Sequence, residues 1–144
     1  TVEGEFESPA EKAELLVKML DLMDETSTPR FCIEVREYIH SLNPDNENNT
    51  KELHKLKDFI NLSLSMEDYC VKYRKHLKFD PVERTEKWEN IIFQVEKECN
   101  RILKNHPRGM GFCFMYWSVM SEILERHGIH WCSPAQMNPG VMFD

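Results

Sequence analysis

His127, His130 and Cys132 fall within one short stretch, HGIHWC, and imidazole and thiolate are zinc ligands. Cys113 and His106 could join them in space. A structural zinc needs four such groups at tetrahedral positions, and none of the five cysteines has the close CxxC spacing that marks these sites. A helix cap followed by a packed aromatic segment accounts for the same residues, so neither a metal nor another cofactor is expected. Nucleophilic chemistry has raw material in the cysteines, six histidines and many carboxylates, but no GxSxG, HExxH or phosphate-loop pattern organises it. Cys32, Cys70, Cys99 and Cys113 sit on or beside apolar helical faces, where a thiol stays protonated and inert.

Two further groups could bind. Arg108-Gly109-Met110-Gly111 precedes a predicted helix start, where free N–H groups favour an anion. A dinucleotide loop would need a third glycine where Phe114 stands, and a strand before it, where a helix is predicted. A small-molecule or catalytic pocket near residues 106–116 and 130 would draw on His106, Arg108, Tyr116, His130 and Trp131. The second group is the run VKYRKHLKF, in which Lys72, Arg74, Lys75 and Lys78 occur without an acid; Tyr73 within it and Tyr69 just before it offer rings for stacking. It reads as a basic helical patch for nucleic acid, or as a solvated face that pairs with the acidic first helix.

Composition narrows the choice. A net charge of −7 argues against general nucleic-acid or anionic-membrane binding. Residues 1–25 hold eight acids against Lys12 and Lys18. An odd number of cysteines without close pairs suits reduced thiols in an intracellular, cytoplasmic or nuclear, protein. No apolar run approaches the roughly twenty residues of a membrane span, so no membrane association is expected.

The elements that position these groups are legible from helix punctuation. Ser8-Pro9-Ala10-Glu11 starts a helix over about 9–25, and Thr28-Pro29 starts a second with Phe31, Cys32, Val35, Tyr38, Ile39 and Leu42 inside. Asn49 or Thr50 caps a third, and Ser65 a fourth that ends near Lys78. Asp80-Pro81 opens a fifth with no breaker before Asn105. A sixth, over 110–127, contains the uncharged stretch GMGFCFMYWSVM and stops at Gly128. Apolar on nearly every side, it belongs in the middle of a bundle, with the fifth helix as the other half of the spine. The tail keeps Trp131, Met137, Val141, Met142 and Phe143, and so should pack back.

The sequence thus predicts an all-α, non-repetitive bundle of five to six helices with a packed aromatic C-terminal tail. It reads as a single domain over residues 1–144, with 1–7 as a disordered extension. The absence of a catalytic motif favours a non-enzyme. The first expectation is a protein-binding or regulatory module, compatible with a homodimer, because eight methionines suit adaptable apolar surfaces. The alternatives are nucleic-acid association through residues 72–78, and an enzyme or small-molecule binder with the pocket described above.

Overall fold

The computed structural model of the chain describes residues 8–143, and among these the regular structure is helical, with no strand. The all-α expectation therefore holds, while the extension expected at residues 1–7 lies outside the described residues. In chain order the helices are α1 (Pro9–Asp21), α2 (Pro29–Leu42), α3 (Glu47–Ile60), α4 (Met66–Lys72), α5 (Glu86–Ile102), α6 (Phe112–Arg126) and α7 (Pro134–Met137), with a 3-10 turn at Pro81–Arg84. The chain divides into two compact units, Thr1–Leu62 and Ser63–Asp144.

In the first unit, α2 packs against both α1 and α3. Ser8 caps α1 by accepting from the Glu11 amide, and Pro9 occupies the first helical position. The helix stops at Asp21, short of the expected 25, because Asp24 gathers the next residues into a local turn. Its carboxylate accepts from the Thr26 amide and from the hydroxyls of Thr26 and Ser27. Leu20, Cys32, Ile33, Ile39, Leu53 and Leu56 form the apolar centre. Beside it lies a buried polar group. The Arg36 guanidinium donates twice to Glu25 at 2.7 Å and once to Asn49 Oδ1 at 3.0 Å. Asn49 in turn donates to the Arg36 carbonyl at 3.0 Å, so this network ties the α1–α2 connection to α2 and α3. Burial alone would lower the Arg36 pKa, but the Glu25 carboxylate overrides it and the net shift is upward.

The second unit is built on a stripe of Trp88, Ile92, Val95 and Cys99 along α5, packed against Met120, Ile123 and Leu124 of α6 and against Ile129 and Trp131 of the tail. The two helices expected to form a spine do pack together. The fifth predicted helix is in fact two elements. Asp80 caps the 3-10 turn, and Thr85 then adopts an extended backbone and accepts from the Trp88 amide as a second cap. The tail does fold back, through three polar fastenings. Asp80 accepts from the Cys132 amide at 2.7 Å, Glu83 from the Trp131 indole at 3.1 Å, and Asn138 brackets the Lys78 backbone.

Helix α6 departs from expectation. Met120, Ile123 and Leu124 of its second half are buried, but Phe114 and Met115 are 46% and 42% exposed, so the first half lies at an edge and not in the middle of a bundle. The apolar residues there outnumber the partners that α5 and the tail can supply.

Candidate functional site

The basic run is not the helix that the sequence suggests. Helix α4 ends at Lys72, and Arg74, Lys75, His76 and Lys78 follow on an exposed, non-helical segment. The reason lies in how α4 terminates. Arg74 adopts a left-handed backbone with φ of 53°, its amide bonds the Val71 carbonyl at 3.3 Å, and the Lys75 amide reaches back to Cys70 at 2.8 Å. This is a Schellman turn. Helix α6 ends in the same motif, with Gly128 at φ 76° and amides of Gly128 and Ile129 bonding Glu125 and Leu124. Glycine fills that position without strain, whereas a side chain there costs about 1 kcal/mol. The chain therefore holds an arginine where its own second example of the motif has glycine.

Both ends of the segment are anchored. At its start, Tyr69 is almost fully buried, with the Tyr73 ring 4.9 Å away, Phe79 edge-on at 6.0 Å and the Arg84 guanidinium 6.0 Å from its centre. Tyr69 is thus a structural anchor and not the stacking platform expected of it. Tyr73 is half-buried, with Lys72 Nζ 5.6 Å from its ring centre. At the far end, Asn138 Oδ1 accepts from the Lys78 amide at 2.9 Å and its Nδ2 donates to the Lys78 carbonyl at 2.8 Å. A shallow depression of about 420 Å³ lies along the segment, lined by Arg74, Lys75, His76 and Lys78 with Glu67, Cys70 and Val71. Among the described residues, no ion pair engages Arg74, Lys75 or Lys78.

The residues proposed for a pocket near the start of α6 are distributed differently. Arg108 lies over the Phe112 ring at 4.3 Å, and Phe112 neighbours Tyr116 at 6.2 Å, so these two candidates share a neighbourhood. The Tyr116 hydroxyl meets the Cys99 thiol, and burial pushes Tyr116 up to about 12 and Cys99 to about 11. Trp131 is a core side chain against Trp88, at 6.0 Å between rings. His106 is exposed, and His130 stands in solvent beside Glu125 at 2.8 Å. None of the five cysteines is in a disulfide; three are buried, and Cys113 and Cys132 are half-exposed. Among the described residues no group of three or more His, Cys, Asp or Glu is placed to hold a metal ion, and no helix is long and apolar enough to cross a membrane.

A second concavity, of about 660 Å³, lies beside the exposed face of α6 and was not foreseen from the sequence. Phe114, Trp117, Ser118, Ser121, Glu122 and Glu125 line one wall, and Ser133, Ala135 and Gln136 of the α7 region the other. The wall residues of α6 recur at three- and four-residue intervals, a signal that the sequence carried but that read as core.

The charge divides as sharply as the fold. Residues 1–62 contain fourteen acids and seven bases, whereas residues 63–144 contain eleven of each. The entire net charge of −7 therefore resides in the first unit, and the basic segment belongs to a unit that is neutral.

No protein-family model and no solved structure matches the chain. Over 75 residues, 51% of its length, it is 33% identical to the RNA-binding protein NAB6 of Saccharomyces cerevisiae, of which the matched stretch spans only 6%.

Proposed function

We propose that the chain is a non-catalytic helical module that binds single-stranded RNA through the segment from Lys72 to Lys78. The observation that carries this reading is Arg74: a left-handed position that glycine would fill without strain keeps a cation instead, and local strain retained in this way points to use. The anchoring of the segment by Tyr69 and Asn138 supports it, because a pre-ordered cationic loop loses little freedom on binding. The likeness to an RNA-binding protein agrees with it. Since Tyr69 is buried, recognition rests on phosphates more than on stacked bases and is tolerant of sequence. Five cysteines without a disulfide among them suit the reducing cytoplasm or nucleus.

The test is fluorescence anisotropy with a labelled single-stranded 20-mer RNA. Four phosphate contacts predict a slope of about −3 in log affinity against log salt, a loss of roughly fifty-fold between 50 and 200 mM. The variant K72Q/R74Q/K75Q/K78Q, checked for folding by circular dichroism, should bind weakly and with a flat salt profile. Undiminished binding by that variant, or no binding by the native chain at low salt, overturns the proposal.

A further inference from the structure

We infer that the groove beside α6 is a second binding site, which takes an arginine side chain presented by a peptide of a partner protein. The groove has the size of ordinary ligand sites, at about 660 Å³. Its two aromatic residues form a corner, the Phe114 and Trp117 rings lying 5.7 Å apart at 84°, and Phe143, outside the lining, backs Trp117 at 5.2 Å and 87°. Glu122 and Glu125 line the same wall, and no lysine or arginine is among the lining residues. Among the described residues the Glu122 carboxylate has no ion-pair or hydrogen-bond partner, and the Trp117 indole N–H has no acceptor.

This combination selects its ligand by charge and shape. An anion such as nucleic acid would meet two carboxylates. A purely apolar ligand would strip water from them without replacing it, which is costly. A cation satisfies Glu122, whose neighbour Glu125 already meets His130, and also gains from the ring faces. Between the two cationic side chains, the planar guanidinium fits better, because it can lie on a ring face while its edge donates twice to a carboxylate. The hydroxyls of Ser118 and Ser121 are close enough along the helix to meet the polar backbone of the peptide that carries it. The site is independent of the basic segment, which has the opposite charge and lies in a separate depression.

The experiment is calorimetric titration of the whole chain with a ten-residue Gly/Ser peptide bearing two arginines, and with the same peptide bearing citrulline, which keeps the shape and removes the charge. The arginine peptide should bind about tenfold or more tightly than its citrulline counterpart. E122Q/E125Q, two exposed substitutions that spare the core, should weaken it by about the same factor, and F114L should weaken it severalfold. K72Q/R74Q/K75Q/K78Q should leave peptide binding unchanged, and single-stranded RNA should fail to compete. Equal affinity for the two peptides, indifference to E122Q/E125Q, or displacement of the peptide by RNA each overturns the inference. A failure there leaves RNA binding by the basic segment standing, since its variants and its salt profile are separate.

Discussion

The two halves of this chain differ in net charge and in what holds a buried arginine. Residues 1–62 carry all of the net negative charge and bury an arginine, held by Glu25 and Asn49. Residues 63–144 are neutral, keep an uninterrupted apolar stripe on α5, and bury an arginine too, Arg84 against the Tyr69 ring, where burial lowers its pKa; the cations of the 72–78 segment lie together at the surface. The difference teaches that the net charge of a sequence is a poor guide to how charge is distributed over its parts. The acidity that argued against nucleic acid belongs to one unit and the cationic segment to the other.

Four measurements would break or sharpen that contrast. The largest effect is expected from Trp131→Ala, which empties the site opposite Trp88 and removes the indole donor to Glu83. The loss should be about 3–5 kcal/mol by denaturant titration, centred on residues 63–143 when hydrogen exchange is read residue by residue. Next is Glu25→Ala, which leaves the Arg36 guanidinium buried with Asn49 alone. About 3 kcal/mol should be lost, with the exchange protection falling first within residues 8–62. A loss under 1 kcal/mol would mean that the network is ornamental and the units are alike.

The third prediction concerns alkali. Cys99 titrates at 9.0 when unperturbed and is pushed up to about 11 by burial. Between those values the unfolded chain has released a proton that the folded chain still holds. Stability is therefore complete below pH 9 and falls as pH rises through 11, by up to about 1.4 kcal/mol per pH unit. Cys99→Ala should flatten the decline, and an unchanged slope would place its origin elsewhere. The smallest effect is Arg74→Gly. It should stabilise the fold by roughly 1 kcal/mol while weakening RNA binding severalfold. Loss of stability would show that the left-handed turn is not strained.

Much of the architecture was legible because the caps are local. Ser8, Ser65 and Ser133 each accept from an amide three residues on, and Pro9, Pro29 and Pro134 mark first helical positions. What was hidden depends on partners distant in sequence or on backbone sign. Thr85 sits inside an apparently continuous helical pattern, and only its extended backbone reveals a second cap. Arg36 reads as a surface residue until Glu25 and Asn49 close over it. The Schellman turn at Arg74 carries no glycine to announce it, so the basic run looked helical. The α6 groove was misread because aromatic spacing at three and four is the same whether the facing partner is core or absent.

The bond pair between Lys78 and Asn138 joins positions 60 residues apart. A contact of that span cannot form early, because closing so long a loop costs entropy before any contact repays it. The turn at Arg74 is local, so only the Lys78 end of the cationic segment is fixed late, once the tail has docked on α5 and α6. During synthesis the Lys78 end of that segment would stay unfastened until residue 138 had emerged.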